Sequence, residues 1–230
     1  MEQLQRELDR LIATLPNADA FRAGLETLVS LYPFNDYEYI IAALLAADKL
    51  THDEYIELRD DYIKRNPFLY LFEFSPACLG KWAEKHLGEL SPGLCASSSS
   101  EYDCLLDGKI KIEVKASRAV EFKCAKPIYA KALLSNSNKR FEMNFQQAKS
   151  VCCDVFLWIG VWRDVIRYWV LASREMAESH RYSAGQHRGN EGEGQLHMTH
   201  NNIQEFACYE VRSNELTDAI RKAFDRQHGK

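Results

Sequence analysis

The chain has 230 residues, 46% of them hydrophobic and 27% charged, a composition ordinary for a globular protein of one large or two small domains. No run reaches the roughly 18 consecutive apolar residues of a membrane span, and the first ten residues show no secretory signal, so we expect a cytoplasmic protein with no membrane partner. The net charge of −4 taken alone argues against a nucleic-acid partner, but its distribution does not. Residues 1–108 hold 9 Lys and Arg against 19 Asp and Glu, whereas residues 109–190 hold 15 against 7. A basic middle segment is the footprint that a phosphate backbone requires, although the acidic half can also neutralise it within the fold.

Cysteine and histidine give little support to a metal site built from these residues. The seven cysteines are odd in number and contain no Cys-x-x-Cys pair, which argues against a disulfide framework and a structural zinc site and predicts reduced, mostly buried thiols. Among the histidines at positions 180, 187, 197 and 200, only the last two are closely spaced, so a histidine metal cluster is a weak alternative.

Residues 1–74 are predicted to form a helical N-terminal subdomain without a chemical motif. Apolar residues recur there at helical spacing, and Thr51 with Glu54 forms a capping box that begins one of the helices. Asn66, which precedes a proline, is expected to end that helix.

A further helix is predicted to begin at Ser75, an N-cap followed by Pro76 in the first turn, and to end at Gly88. Glu84 lies away from its apolar stripe. The polar loop that follows leads into residues 101–117, EYDCLLDGKIKIEVKAS, whose pattern indicates a strand, a turn and a second strand.

The face on which the acidic residues of this hairpin lie depends on the length of its turn. A two-residue loop at 107–108 would place Asp103 opposite Ile112 and would send Glu113 to the other face of the sheet.

A three-residue loop at 106–108, with its glycine in the left-handed conformation, would instead place Asp103 opposite Lys111. Asp103 then shares a face with Glu113 and Lys115, while the two isoleucines and the valine of the second strand point to the core. We predict this register because it keeps the apolar face free of charge.

On that register the hairpin has the residues needed for phosphodiester hydrolysis. Asp103, Glu113 and the backbone carbonyl of Val114 are oxygen ligands of the kind that Mg²⁺ prefers. A bound metal would polarise a phosphoryl oxygen and lower the pKa of a bound water. Lys115 would orient that water and stabilise developing negative charge.

Beyond the hairpin, the sequence predicts a basic polar passage, a helix over residues 140–151 that carries Gln146 and Gln147, and two apolar strands, CDVFLWIGVW and VIRYWVLAS. A polar passage at about 174–203 follows and is predicted to be an inserted DNA-contacting loop. FACYEVR is predicted as a last short strand, and Ser213 as the cap of a final helix.

Several polar side chains are candidates for DNA contact, because Arg pairs with guanine and Gln or Asn with adenine in the major groove. The glycine-flanked stretch GQHRGN supplies most of them, and a surface loop without such contacts is the alternative. Basic residues after the turn, Arg118 among them, would add affinity for the DNA backbone. The candidates are Gln186, His187, Arg188, Asn190, Gln146, Gln147 and Arg118.

Asp103, nine intervening residues and then Glu113-Val114-Lys115 resemble the motif of the PD-(D/E)XK nuclease superfamily, which includes most type II restriction endonucleases. Over about residues 75–172 the order of predicted elements is similar to the α-β-β-β-α-β core of that family. One departure is that Tyr102 stands where proline gives the motif its name.

The resemblance implies an α/β fold, more closely an α+β mixed sheet, in which residues 75–230 form a restriction-endonuclease-like core. It implies that Asp103 and Glu113 are metal ligands, that Lys115 is the catalytic lysine and that Glu84 is an accessory acid. It also implies that the helix after the hairpin faces the active site or DNA.

The sequence therefore predicts a Mg²⁺-dependent, site-specific endonuclease of double-stranded DNA, of the type II restriction kind. A short palindromic site would predict a homodimer with one active site per strand. Two alternatives stay open: a repair or structure-selective nuclease of the same fold, and a DNA-binding module without catalysis.

Overall fold

The computed structural model describes residues 2–23, 36–99, 101–149, 152–184 and 193–229. Within them the chain is a mixed α and β protein with one mixed sheet, as the predicted class requires. None of the helices among the described residues combines the length and the apolar character needed to cross a membrane.

The described parts of residues 2–65 are mainly helical, which agrees with the helices predicted there. The described helices are α1 (Glu2–Ala13), α2 (Asp36–Ala46) and α3 (His52–Arg65), and residues 18–23 are helical as well. They have their own apolar cluster, which includes Leu8, Ile12, Ile40, Ala43 and Leu44.

Two predicted helix starts are confirmed by their caps. The Thr51 hydroxyl accepts a hydrogen bond from the Glu54 N–H at 3.2 Å, and the Glu54 carboxylate accepts one from the Thr51 N–H at 2.8 Å. The Ser75 hydroxyl caps α4 (Pro76–Leu90), which continues two residues beyond the predicted stop at Gly88. Gly88 takes no left-handed conformation, so it does not end the helix.

Ten strands are described. They are β1 Leu94–Ala96, β2 Cys104–Leu106, β3 Ile110–Arg118, β4 Val120–Glu121, β5 Phe141–Ala148, β6 Val155–Val161, β7 Ile166–Ala172, β8 Tyr182–Ser183, β9 Gly194–Thr199 and β10 Glu210–Val211. They form a six-stranded sheet in the order β1-β2-β3-β6-β7-β10 and a four-stranded sheet in the order β4-β5-β9-β8. Only β3 and β6 pair in parallel among the described strands.

The predicted helix over residues 140–151 is wrong, because most of its described residues form strand β5, Phe141–Ala148. Phe141, Met143 and Phe145 are buried and alternate with less buried polar residues, which is the period of a strand. Two parallel strands need a long crossover connection, and between β3 and β6 that connection carries β4, β5 and a short 3₁₀ helix.

The passage at 174–203 is not the long loop that the sequence predicts. It contains most of α5 (Ser173–Glu178), then β8, and finally β9, which pairs with β5. Leu196 and Met198 of β9 are fully buried, and this alternation is the signal that sequence reasoning missed.

The C-terminal elements agree with the sequence only in part. Most of FACYEVR is a 3₁₀ helix, Ile203–Tyr209, and only β10 is a strand. A second 3₁₀ helix, Ser213–Glu215, precedes α6 (Leu216–Gln227), so Ser213 is not the cap of that helix.

The six-stranded sheet lies between two apolar clusters. On one face, α4 and α6 cover the cluster that contains Ile110, Ile112 and Val114. On the other face, β5 and β9 of the smaller sheet contribute to a cluster that contains Trp158 and Trp169. Most residues of β3 are buried between these clusters, whereas Lys111 is exposed and Lys115 is half-buried.

All seven cysteines are free thiols, as predicted. They are less buried than expected, since only Cys104 and Cys153 are buried, whereas Cys78, Cys95 and Cys208 are exposed.

Candidate functional site

The observed pairing of the β2–β3 hairpin is shifted by two residues along β2 from the predicted register. Leu105, not Asp103, lies opposite Lys111, and the three-residue loop covers 107–109. Asp107 and Gly108 both have positive φ, 53° and 68°, as in the mirror-image turns that suit twisted hairpins. The parity of the register is nevertheless the predicted one, and the isoleucines of β3 point to the core.

Asp103 lies just before β2 and is fixed to β3 at both its backbone and its side chain. Its N–H donates to the Ile112 carbonyl at 3.0 Å, and its carboxylate accepts a hydrogen bond from the Val114 N–H at 2.8 Å. The carboxylate is therefore held beside the Glu-Val-Lys segment without using a side chain of that segment.

The edge of β3 opens at this point. β2 pairs only with residues 110–112, and beyond Ile112 no strand of the described residues pairs with that edge along the rest of β3. Backbone groups of alternate residues in a strand point to the same side, so the Val114 carbonyl points to the same edge as the Ile112 carbonyl that binds Asp103.

A cavity of about 420 Å³ lies at this open edge and brings together six of the eight predicted site residues that the structure describes, whereas Glu113 and Arg118 do not line it. α4 forms one wall, β3 the floor and β5 the opposite wall. Its lining includes Glu84, Asp103, Val114, Lys115, Gln146 and Gln147.

Glu113 and Lys115 form an ion pair next to this cavity. The Lys115 Nζ and the Glu113 Oε1 are 2.5 Å apart, and Glu113 is 9% exposed. Burial raises the pKa of Glu113, whereas Lys115 lowers it and Asp103 raises it further. The lysine thus compensates a carboxylate that would otherwise be buried next to another carboxylate.

Glu84 of α4 takes part in the same electrostatic cluster. Burial raises the pKa of Glu84, the nearby charge of Asp103 raises it further, and Lys115 and Lys81 oppose the shift. The predicted accessory acid therefore lies close enough to the hairpin to sense the charges of Asp103 and Lys115.

Gln146 and Gln147 line the cavity from a strand rather than from the predicted helix. The pairing of β5 with β9 is irregular between Phe145 and Ala148, so the two glutamines are both exposed between two buried residues. Gln147 has a φ of 58°, which L residues adopt rarely and which permits this bulge.

Asn144 is a cavity residue that sequence reasoning missed. Its N–H donates to the Ser117 Oγ at 3.0 Å, and its Nδ2 donates to the Gln195 Oε1 at 3.1 Å. The alternation of FEMNF places Asn144 on the polar face with Gln146, so the sequence contained the signal, but the helix prediction concealed it.

Arg118 occupies a structural position rather than an exposed one. It is 9% exposed, and its Nη1 donates to the carbonyls of Leu71, Phe72 and Phe74, at 2.7 Å in the shortest case. Burial lowers the pKa of its guanidinium. Arg118 therefore joins the end of β3 to the segment before α4, and this role argues against the predicted contact with DNA.

The other candidate DNA contacts, Gln186, His187, Arg188 and Asn190, lie outside the described residues. Across the parts of the chain that are described, no group of three or more His, Cys, Asp or Glu side chains is arranged to hold a metal ion. The predicted Mg²⁺ ligands include only two such side chains, Asp103 and Glu113, together with the backbone carbonyl of Val114, and they do not form a group of this kind.

These ligands suit a hard cation in their chemistry. Asp103 and Glu113 supply anionic oxygens, and the Val114 carbonyl points to the same edge of β3 as the Asp103 carboxylate. In this structure Lys115 compensates the negative charge of Glu113, and a bound divalent cation would compensate the same charge.

The chain matches no model of a known protein family and no curated protein to a significant degree. Functional conclusions for it therefore rest on the geometry of its own residues.

Proposed function

We propose that this protein is a Mg²⁺-dependent endonuclease that hydrolyses phosphodiester bonds of double-stranded DNA, in the manner of a type II restriction enzyme. The observation that supports it best is the convergence of Glu84, Asp103 and Lys115 on one cavity, at a point where the edge of β3 is open. Carboxylates beside a lysine are suited to a substrate that is itself anionic and is bound through a cation.

Asp103, Glu113 and the Val114 carbonyl would hold the Mg²⁺, which when bound polarises a phosphoryl oxygen and makes a water more acidic. Asp103 is kept in place by the Val114 N–H. Lys115 neutralises Glu113 in this structure, and in a substrate complex its ammonium would orient the attacking water and stabilise charge that develops on the phosphate.

The finer fold assignment, a restriction-endonuclease-like core, belongs to the same proposal. The succession of α4, the β2–β3 hairpin and the buried strands β6 and β7 supports it. The strand β5 in place of a helix between β3 and β6 is a departure from that core. A cytoplasmic location and a homodimer on a palindromic site follow only from this function.

The decisive experiment is digestion of a long unmethylated duplex by wild-type protein and by Asp103→Asn, in Mg²⁺ and in Ca²⁺. The asparagine retains an acceptor for the Val114 N–H but loses the charge. Because a metal contributes several kcal/mol of transition-state stabilisation, we expect cleavage to fall at least ~100-fold in the variant.

Asp107→Asn is the matched control, since Asp107 lies in the same hairpin, pairs with Arg221 and does not line the cavity. We expect it to cleave like the wild type. Discrete fragments would support a site-specific enzyme, and a smear would favour the repair or structure-selective alternative. DNA binding without cleavage in any metal would refute catalysis and favour the binding module.

A further inference from the structure

The cavity that contains Glu84 and Asp103 continues along β3 into a second cavity of about 260 Å³. Pro76, Ala116, Asn144 and Gln146 line both cavities, which therefore form one groove. The carboxylates and Lys115 occupy one end, so a chain molecule with its reacting group at that end would place its next unit in the remainder of the groove.

One wall of this groove is a row of side-chain amides on β5. We call Asn144, Gln146 and Gln147 the amide strip. The bulge after Phe145 allows two successive glutamines to lie outside the core, whereas regular alternation would direct Gln147 inward. The backbone of Gln147 is held in a left-handed conformation that only a few residue types favour.

Asn144 is the fixed member of the strip. Its amide nitrogen is bound by Gln195, and its Oδ1 is buried without a hydrogen-bond donor among the described residues. A buried acceptor that lacks a donor is costly, and a donor from a bound molecule would remove that cost.

The side chains of the amide strip carry no charge, so they suit hydrogen bonds to a neutral base better than contact with a phosphate. Phosphate groups are bound mainly by Lys, Arg and backbone N–H groups, and the Nη1 of Arg118, the arginine of the groove, is engaged by backbone carbonyls. A glutamine amide presents a donor and an acceptor side by side, and this pair matches N7 and N6 of adenine in the major groove.

We propose that Gln146 and Gln147 read an adenine next to the scissile phosphate, while Asn144 keeps β5 in register with β3. This inference rests on the proposed nuclease function and specifies the nucleotide that the same groove selects. It adds sequence discrimination to a site whose other groups act on the backbone alone.

The test requires the cut site of the wild type to be mapped first. Each adenine within two positions of the cut is then replaced by 7-deazaadenine, which lacks the N7 acceptor. We expect the wild type to cleave one such duplex at least ~5-fold more slowly, as the loss of a base contact requires. Gln146→Ala or Gln147→Gly should cleave normal and modified duplexes at similar rates.

Glycine is chosen at position 147 because it accepts the left-handed backbone and removes only the amide. Gln204→Ala, an exposed glutamine that does not line the groove, is the control and should keep the wild-type sensitivity. Thermal melting of each variant establishes that the fold is retained.

The salt dependence of binding in Ca²⁺ separates base reading from phosphate contact. Loss of a base contact leaves the slope of log K against log salt unchanged, whereas loss of a phosphate contact reduces it by about one. A uniform loss of affinity with a shallower slope would overturn the inference. The inference would also be overturned if the wild type cleaved every modified duplex at the normal rate, but the protein would still be a nuclease. A wild type that neither cuts nor binds DNA would refute the proposed function itself.

Discussion

At the scale of single residues, the candidate site holds carboxylates in partly buried positions, where loss of solvent disfavours their charged form. Burial is the largest cause of the raised pKa values of Glu84 and Glu113, and the charge of Asp103 raises both further. Lys115 offsets part of this cost. Such an arrangement lowers the stability of the folded protein, and it is expected where carboxylates are kept together for binding or catalysis.

This cost predicts a pH-dependent gain in stability for Glu84→Gln. Because the pKa of Glu84 is raised in the folded protein, the folded state is most stable below the ordinary value of 4.5 and loses stability as pH rises through the raised pKa. The variant lacks this loss, so its Tm should exceed that of the wild type at pH 7 and equal it near pH 4. For a chain of this size, each ~1 kcal/mol gained in the free energy of unfolding raises Tm by ~2–4 °C, which is the scale for the measurement.

Glu89→Gln on the same helix is the control for that measurement. The Glu89 side chain is 63% exposed, so its replacement should leave Tm nearly unchanged at either pH. If Glu84→Gln were less stable relative to the wild type at pH 7 than at pH 4, burial and the charge of Asp103 would not be what dominates the electrostatics of Glu84.

At the scale of elements, the sequence predicts a helix or strand correctly where the local pattern is compatible with only one of the two. The cap at Ser75 and the uninterrupted apolar run of β6 each permit one structure. The prediction failed at β5, because Phe141, Phe145 and Ala148 also recur at helical spacing. Pairing with β9, a contact distant in sequence, decides between the two, and no local pattern contains it.

The β2–β3 hairpin shows how far local sequence patterns predict the candidate site. The turn was displaced by one residue, since both Asp107 and Gly108 adopt left-handed backbone angles. The acid and lysine residues still came together, because the side-chain period of a strand depends only on parity. Glu84 joined them through tertiary packing of α4, which the sequence indicated only by resemblance.

The connection between β3 and the segment before α4 predicts a large effect for Arg118→Met. The substitution leaves the carbonyls of Leu71, Phe72 and Phe74 without their donor in a buried place. We expect a loss of about 2–4 kcal/mol in the free energy of unfolding, measured by urea denaturation.

Arg140→Met serves for comparison, since Arg140 is exposed and lies 5.0 Å from the Phe122 ring. Its replacement should change the free energy of unfolding by less than ~0.5 kcal/mol. An Arg118→Met protein of normal stability with weakened DNA binding would contradict the structural role and restore Arg118 as a DNA contact.

At the scale of the whole molecule, ion pairs reduce the positive charge of the basic middle segment. Part of its net excess of eight is offset by carboxylates that the fold brings from residues 191–230. Ion pairs of the segment include Lys115 with Glu113, Lys139 with Glu121, Lys149 with Glu193, Arg167 with Glu210 and Arg181 with Glu205. Three of these carboxylates come from residues 191–230, so charge counted along the sequence overstates the field that DNA would meet.

This compensation predicts a shallow salt dependence for DNA binding. A segment whose eight excess charges all met phosphates would give a slope of log K against log salt near −7, since each phosphate contact contributes about −0.9. Three of the eight charges are paired with carboxylates from residues 191–230, so we expect a slope no steeper than about −4.5 for wild-type protein in Ca²⁺. Fluorescence anisotropy over roughly 50–300 mM salt measures it. Glu210→Gln, which releases Arg167 from its pair, should make the slope steeper if Arg167 then meets a phosphate. A wild-type slope near −7 would mean that the ion pairs open on DNA and that the segment acts as the basic surface its sequence suggests.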